Sequence, residues 1–254
     1  MGSILHDPSI AHIATDDLLR VPIAGLREGG VLLDADAAHY LTRVHRLGVG
    51  ERFLGFDPEQ AIHAEGSVVE VARGKVRCSF EAPRQAVVER RYTLQLLQGI
   101  GKADKPDRIV RAATELGATR IDFVHLERSV VSIGDKVQSR LARLKAVAIE
   151  AARQSGRPDL PQLGYLADLE QGLAQLTAGG CRLMLDANGG RLPELLSGDS
   201  PVVTLLIGPE GGFTPEEREL ALRHGFTACR LADHVLRTET AAIAAVAAVV
   251  ATLS

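Results

Sequence analysis

The chain has 254 residues, enough for one large domain or two smaller ones, each with its own hydrophobic core. Hydrophobic residues make up 46% of it and charged residues 24%, which excludes a disordered or fibrous protein. The formal net charge of -3 excludes a broadly basic surface, so any contact with RNA must come from a local basic patch.

The cysteines and the apolar runs predict a cytoplasmic protein without membrane contact. Cys78, Cys181 and Cys229 are far apart and odd in number, so neither a disulfide framework nor a zinc site is indicated, and no metal is expected. Residues 1–19 contain no apolar run and predict no secretory signal. The apolar run 241–253 is shorter than the roughly 20 residues of a membrane span and predicts a buried terminal helix.

Up to Pro83, short runs typical of β-strands alternate with turn residues and predict a small β-barrel or sandwich. The runs are 31–33, 52–56, 62–71 and 76–80. One helix is predicted between them, from a cap at Asp36 to Gly48. Its apolar side carries Tyr40, Leu41, Val44 and Leu47 at helical spacing.

Residues 81–91 predict a linker that leads into a strand at 92–98, where a second domain begins. Apolar runs then alternate with helical patterns, which predicts a mostly parallel α/β sheet. The strand-like runs are 120–126, 182–185, 202–207 and 228–231. One helix is expected to start near Pro106 and stop at Gly117, and another to run from Asp135 to Ser155.

The segment Leu205–Thr214 (LLIGPEGGFT) leads from a buried strand into a glycine-rich loop, where ligands bind in parallel sheets. It has neither the GxGxxG spacing nor a following Gly-Lys-Ser/Thr, which argues against a nucleotide-dependent oxidoreductase. The glycines would let backbone approach a flat nucleoside closely, although a plain tight turn also needs glycine. The residues Thr214–Glu217 predict a capped helix directly after the loop.

The segment Leu231–Ala242 (LADHVLRTETAA) repeats this arrangement of a strand end and a helix start. Thr238 or Thr240 suits the cap of the last helix, and Glu239 suits its positive end. Arg237 precedes a helix N-terminus, where the dipole is unfavourable, so we expect Glu210, Glu239 or a ligand to hold it.

Together the two segments resemble the RsmE family of ribosomal RNA uracil-N3 methyltransferases, whose hallmarks are an IGPEGGF loop and an LRTETA stretch. The resemblance extends to Gly101–Gly117, Glu127–Ser129 and Glu150–Arg157, and it touches His39–Leu47. This ordered set covers nearly the whole chain and is far more specific than any one motif. Departures from the residues usual in the family stand at His45, Ala112, Ala232 and His234.

The resemblance implies an α/β fold of the SPOUT class with a C-terminal trefoil knot over residues 85–254. A small PUA-like, RNA-binding β-barrel over residues 1–84 would precede it. The implied activity is methylation of uridine N3 in 16S rRNA of the small ribosomal subunit, with S-adenosylmethionine as cofactor and a homodimer as the active form. The alternative is a non-catalytic RNA-binding or ribosome-assembly protein with the same fold, against which the intact motifs argue.

By the same resemblance, the cofactor would be bound by the two late segments and one earlier strand end. The expected contacts are Leu185, Ile207, Gly208, Pro209, Glu210, Gly211, Gly212, Leu231, Ala232, Val235, Leu236, Thr238, Thr240 and Ala241.

Transfer to N3 requires loss of an imide proton and stabilisation of the negative charge that remains. We expect Arg128 and Arg237 to stabilise that charge and Glu210 to serve as the base, although Glu210 suits a backbone-ordering role equally well and water is the alternative proton acceptor.

A further set of basic residues is expected to contact the rRNA backbone, although ordinary surface charge explains any single one of them. The set is His39, Arg43, Arg46, Lys102, Lys105, Arg108, Arg111, Arg153 and Arg157.

Overall fold

The computed structural model describes residues 18–87, 90–131, 134–196 and 201–253, which form two compact units. The first unit contains the described residues up to Asp57 together with Ala61–Ala86. The second contains Pro58–Gln60 and the described residues from Val87 onward. Residues 1–17, in which no secretory signal is expected, lie outside the described ranges.

The strands of the first unit form one six-stranded sheet. They are β1 (Arg20–Pro22), β2 (Gly29–Leu32), β3 (Arg52–Asp57), β4 (Ile62–Ala72), β5 (Lys75–Phe80) and β6 (Arg84–Gln85). They pair in the order β1-β3-β4-β5-β2, with β6 beside β4. The four predicted strands are confirmed as β2 to β5. The strands β1 and β6 were missed because two or three residues carry too little periodicity, and β6 lies within the predicted linker.

The helix of the first unit differs from its prediction at both ends. The α-helix α1 (Ala35–His39) is capped by Asp34, whose carboxylate accepts a hydrogen bond from the Ala37 N–H at 2.8 Å, so the cap predicted at Asp36 is wrong. A π-helical turn over Tyr40–Val44 follows, and Arg46 then adopts a left-handed backbone with φ of 58°. The helix therefore ends before Gly48. Of its predicted apolar face, Leu41 is fully buried and Val44 is exposed.

The second unit alternates strands and helices, as predicted. Its strands are β7 (Thr93–Gly99), β8 (Arg120–Val124), β9 (Gln162–Leu166), β10 (Cys181–Arg191), β11 (Val202–Ile207) and β12 (Thr227–Arg230). Its helices are α2 (Lys105–Glu115), α3 (Val137–Ser155), α4 (Leu169–Ala174), α5 (Leu192–Leu195), α6 (Pro215–Arg223) and α7 (Thr238–Leu253). A 3-10 turn over Gly134–Lys136 precedes α3, so that α-helix begins two residues later than predicted.

All six strands of the second unit run parallel, in the order β12-β10-β11-β7-β8-β9. Both faces of the sheet are covered: Leu94 and Leu96 of β7 pack with Ile109 of α2, whereas Leu97 packs with Leu173 of α4 on the other side. A parallel sheet buried on both faces explains why its strands read as continuous apolar runs. The winding direction reverses between β7 and β11, which is where ligands bind in such sheets.

The strand β10 is longer and less regular than predicted. Leu185 and Gly190 both lie opposite Cys229 of β12, so residues 186–189 loop out of the ladder between them. The backbone approaches β12 very closely here, because a Cβ built on Gly189 would lie 2.3 Å from the Cys229 nitrogen. Only glycine fits at this position.

Within the described residues, no helix combines the length and the apolar character that crossing a membrane requires. The helix α7, predicted as a buried terminal helix, packs its Ala242, Ala245, Val246 and Val249 into the core of the second unit.

Candidate functional site

A cavity of about 550 Å³ lies where β10 begins to loop out at residues 185–187 and at the carboxyl ends of β11 and β12. It brings together most of the expected cofactor contacts, which come from three separate parts of the chain. Those that line it are Leu185, Ile207, Gly208, Pro209, Glu210, Gly212, Leu231, Ala232, Val235, Leu236, Thr238 and Ala241. Gly211 and Thr240 are not among its lining residues.

Further residues line the cavity that the sequence analysis did not select. They are Asp186, Ala187, Phe213, Arg218, Cys229, Arg230 and His234. Asp186 and Ala187 directly follow Leu185, the last residue of a predicted strand, and the tendency of ligands to bind at strand ends is a signal that could have found them. Arg218 lies in the helix after the glycine-rich loop, and no sequence pattern indicates that its side chain turns back toward the cavity.

The glycine loop, Gly208–Gly212, is held from its underside by β7. A Cβ on Gly99, the last residue of β7, would lie 2.5 Å from the Pro209 nitrogen, so backbone packs directly on backbone. Within the loop, the Gly212 N–H donates to the Pro209 carbonyl at 2.9 Å, and Gly212 has a φ of +70°. The loop is therefore a tight turn that needs glycine for its own geometry and also forms one wall of the cavity.

The helix after the glycine loop starts with the predicted capping box. Glu217 N–H donates to the Thr214 hydroxyl at 3.2 Å, and Thr214 N–H donates to Oε2 of Glu217 at 2.9 Å. The other oxygen of the Glu217 carboxylate accepts from the Glu127 N–H at 2.8 Å. The capping glutamate therefore also fastens the segment after β8 to the exit of the glycine loop.

Arg128 lies behind the glycine loop and does not line the cavity. Its guanidinium donates to the Gly211 carbonyl at 3.1 Å, and a Cβ on Gly211 would lie 2.8 Å from the Arg128 Cβ. The structure thus places Arg128, predicted as catalytic, as a support of the loop.

Thr238 joins the start of α7 to the glycine loop. Its hydroxyl donates to the Gly208 carbonyl at 2.6 Å and accepts from Nε2 of Gln98 at 2.9 Å. The helix begins at Thr238, and the Arg237 carbonyl accepts the Ala241 N–H at 2.8 Å, so Arg237 occupies the cap position. The prediction that a threonine caps α7 is wrong, because this hydroxyl bonds to neighbouring segments instead.

Replacing Thr238 with valine is expected to lower the free energy of unfolding by about 1–3 kcal/mol, because the buried Gly208 carbonyl and one N–H of Gln98 would lose their partner. Urea unfolding of the variant measures this loss. Thr240→Val is the matched control: its hydroxyl is exposed on the same helix, so a change below about 0.5 kcal/mol is expected. Equal effects at the two positions would contradict the role given to Thr238.

Lys105, the first residue of α2, lies between two carboxylates. Its ammonium is 2.8 Å from Oε1 of Glu210 and 3.4 Å from Oε2 of Glu239. The hydrogen bond to Glu210 raises the pKa of Lys105. Burial acts to raise the pKa of Glu210, but its hydrogen bonds with Lys105 and with backbone N–H groups outweigh burial and hold that pKa below the usual value. Glu210 is therefore ionised at neutral pH and is a weak base.

Arg237 lines the cavity with an exposed side chain. We expected Glu210, Glu239 or a ligand to hold it, but Lys105 engages both carboxylates. Within the described parts of the chain, the Arg237 guanidinium makes no ion pair or hydrogen bond. Arginine that lines a cavity without a protein partner is suited to bind a negatively charged group of a ligand.

Asp186 and Arg218 form an ion pair on another wall of the cavity, with Nε of Arg218 at 2.7 Å from Oδ2 of Asp186. The hydrogen bond from Arg218, together with one from the Asn188 N–H, lowers the pKa of Asp186.

The Cys229 thiol also lines the cavity. Burial raises its pKa to about 12, and Cys181 and Asp186 add to this rise. Cys229 is therefore protonated at neutral pH and is not a nucleophile.

The residues expected to contact RNA differ in their exposure and in their partners. Six are exposed: His39, Arg43 and Arg46 in the first unit, and Lys102, Arg108 and Arg111 in the second. Arg153 pairs with Glu150 of its own helix. Lys105, at the cavity, and Arg157 are each held by carboxylates.

Arg157 is a structural residue and not a surface cation. Its side chain is 9% exposed, pairs with Asp159 at 2.9 Å and donates to the carbonyls of Thr114 and Ala118 at 3.0 and 2.8 Å. It therefore satisfies the carbonyl groups at the end of α2, which the sequence pattern could not distinguish from a surface role.

Comparison with known proteins places this site in a family. The model of an RNA methyltransferase domain matches residues 88–250. A ribosomal RNA small subunit methyltransferase E of Mycobacterium tuberculosis is 30% identical over 224 residues, which cover 86% of this chain and 85% of that protein.

Solved structures agree with the sequence comparison. A protein from Legionella pneumophila with bound S-adenosylmethionine has a TM-score of 0.83 and 28% identity, and the match covers 92% of this chain and 97% of the other. A ribosomal RNA small subunit methyltransferase E from Neisseria gonorrhoeae, bound to S-adenosylmethionine, has a TM-score of 0.79 and 27% identity, with coverage of 91% and 96%. The chain therefore belongs to the ribosomal RNA small subunit methyltransferase E family of RNA methyltransferases.

Proposed function

We propose that the chain transfers the methyl group of S-adenosylmethionine to N3 of a uridine in 16S rRNA of the small ribosomal subunit. One observation carries the proposal: residues of the IGPEGGF loop and of the LRTETA segment line a single cavity together with Leu185, which is distant from both in sequence. Membership of the methyltransferase family supports the same conclusion.

The residues that line the cavity fit S-adenosylmethionine. A volume of about 550 Å³ lies within the range of small-molecule sites, about 300–1,000 Å³. Apolar side chains of Leu185, Ile207, Leu231 and Leu236 would contact the flat adenine, and the glycine loop offers close backbone approach. The Asp186 carboxylate, held by Arg218, would accept hydrogen bonds from hydroxyl or ammonium groups. When bound, the cofactor supplies a methyl group on a positively charged sulfur.

The protein's part in the reaction is to position the uracil and to stabilise negative charge on it. Loss of the N3 proton leaves that charge on the carbonyl oxygens, and the unpaired guanidinium of Arg237 at the cavity would stabilise it. The Glu210 carboxylate is engaged by Lys105 and orders the loop, and the N3 proton is lost to hydroxide or a buffer base in the surrounding solvent. Arg128 acts indirectly, because its hydrogen bond to the Gly211 carbonyl supports the glycine loop.

Exposed basic residues of both units are proposed to bind the rRNA backbone. In the second unit, Lys102 precedes α2 and Arg108 and Arg111 lie on its surface, and the first residue of this helix lines the cavity. In the first unit, His39, Arg43 and Arg46 form a second exposed set. We propose that this unit, residues 1–84 as delimited from the sequence, is a PUA-like barrel that binds RNA.

The proposed architecture of residues 85–254 is a SPOUT domain with a trefoil knot, acting as a homodimer in the cytoplasm. Two features support the knot. The strand β10 pairs with β12 on both sides of its looped-out residues, and α7, which follows β12, packs against α2 and β11 in the core.

The proposed activity is tested with ribosomal RNA that lacks the modification. Small subunits from a strain without this chain are incubated with the protein and S-adenosylmethionine labelled in its methyl group, and nucleosides are separated by mass spectrometry. We expect label in N3-methyluridine at one position of 16S rRNA, and calorimetry is expected to detect binding of S-adenosylmethionine but not of NADH.

Each part of the proposal fails on a different result. Label in another nucleoside would contradict the assignment to N3, whereas RNA binding without S-adenosylmethionine binding would indicate a non-catalytic assembly protein. Sedimentation at micromolar concentration tests the homodimer, and a monomer there would contradict it.

A further inference from the structure

Lys105 joins the two segments that form the cavity. It is the first residue of α2, and its ammonium contacts Glu210 of the glycine loop and Glu239 of the first turn of α7. Only 22% of its side chain is exposed. A Cβ on Gly101 would lie 3.3 Å from the Lys105 Cδ, so the absence of a side chain at Gly101 leaves room for the lysine to reach both carboxylates.

Glu239 depends on this lysine for charge compensation. Its side chain is only 4% exposed, and its Oε2 has no hydrogen-bond partner among the described residues. Arg108, the other nearby cation, lies 3.9 Å from Oε1 and is itself 58% exposed. An ionised carboxylate in such a buried place requires a paired cation, and Lys105 is the closer and less exposed of the two cations.

Both carboxylates act on the same loop. Glu210 belongs to the glycine loop and also accepts the Lys102 N–H at 3.2 Å. Glu239 directly follows Thr238, whose hydroxyl binds the carbonyl of Gly208 at 2.6 Å. A shift of either carboxylate would therefore move one end of the glycine loop relative to the rest of the cavity.

We propose that Lys105 is a positioning residue that holds the glycine loop in its cofactor-binding conformation by neutralising the buried Glu239 and fastening Glu210. The inference rests on the proposed function, since it takes the cavity as the site of S-adenosylmethionine. It removes Lys105 from the residues that contact rRNA, because its ammonium is committed to two carboxylates.

The test measures the affinity for S-adenosylmethionine by calorimetry at pH 7.5. Lys105→Met is expected to weaken binding at least about 10-fold, because it leaves Glu239 buried without its cation. The double variant K105M/E239Q is expected to recover part of the affinity, since a neutral amide of the same shape no longer needs that cation while Glu210 still lacks its partner. Glu239→Gln alone, with Lys105 still paired to Glu210, is expected to bind within about threefold of the unaltered chain.

The charged groups facing Glu239 are Lys105 and Arg108 of α2 and, across the lysine, Glu210 of the loop. Rescue of K105M by E239Q separates charge compensation from a loss of packing, because the amide removes the charge of Glu239 and restores none of the packing of the lysine. Lys136→Met, at an exposed lysine of the same unit, serves as the control and should bind normally.

The inference is overturned if K105M binds as tightly as the unaltered chain, or if E239Q does not rescue it. It is also overturned if E239Q alone weakens binding as much as K105M does. If K105M does not fold, E239Q is compared with K105M/E239Q instead. The inference then requires that both of these variants fold and bind S-adenosylmethionine. Failure of the unaltered chain to bind S-adenosylmethionine would instead refute the proposed function and, with it, this role.

Discussion

Replacing Arg237 with alanine is expected to slow methyl transfer to rRNA by about 10²–10³-fold, the usual effect of removing one group that stabilises transition-state charge. Affinity for S-adenosylmethionine should change less than about threefold, because the guanidinium is directed at the uracil in this mechanism. Arg237 lines the cavity, is exposed, and has no partner in the described part of the chain. Single-turnover rates with labelled cofactor, together with calorimetry, measure the two quantities.

Two further variants define what Arg237 contributes. Arg237→Lys keeps the charge but loses the planar fork, so we expect it to recover only part of the rate. Arg223→Ala removes an exposed arginine at the end of α6, outside the cavity, and should leave the rate unchanged. A parallel loss of rate and cofactor affinity in R237A would instead make Arg237 a cofactor contact, and an unchanged rate would exclude it from the reaction.

Local signals in the sequence were sufficient for the elements next to the cavity. The strand β11 was predicted at its observed bounds because it is a continuous apolar run ended by glycine. The capping box at Thr214 and Glu217 was confirmed because every atom it needs lies within four residues. The strand β9 was missed, since Gly164 interrupts a run of only five residues that is half-buried along most of its length.

Contacts between distant segments could not be predicted from the sequence. Glu217 is a capping residue by pattern, yet its second oxygen binds the Glu127 N–H, 90 positions away. Arg157 has the composition of a surface cation, but the fold directs it to the carbonyl groups at the end of α2. Arg128 likewise has the pattern of a site residue, but in the fold its guanidinium binds the Gly211 carbonyl and does not line the cavity. A sequence pattern identifies residues that have a specific role. It cannot distinguish a residue that supports the site from one that contacts the ligand.

Replacing Gly189 with alanine is expected to have the largest effect on stability. The added Cβ would lie 2.3 Å from the Cys229 nitrogen and 2.4 and 2.5 Å from the carbonyl carbon and oxygen of Ala228. All three are backbone atoms of β12, so no side-chain rotation relieves the overlap. We expect a loss of about 3 kcal/mol in the free energy of unfolding, the upper part of the usual cost of overpacking.

The same substitution should weaken binding of S-adenosylmethionine, because residues 186–187 line the cavity immediately before the contact at Gly189. Gly190→Ala is the matched control: its Cβ would meet only side-chain atoms of Leu195, the nearest at 3.5 Å, and we expect a loss below about 1 kcal/mol. Urea unfolding and calorimetry on both variants measure stability and affinity together. If the two alanine variants lose the same stability and affinity, the close approach of β10 to β12 does not determine the shape of the cavity. A large loss of both quantities in the Gly189 variant alone means that it does.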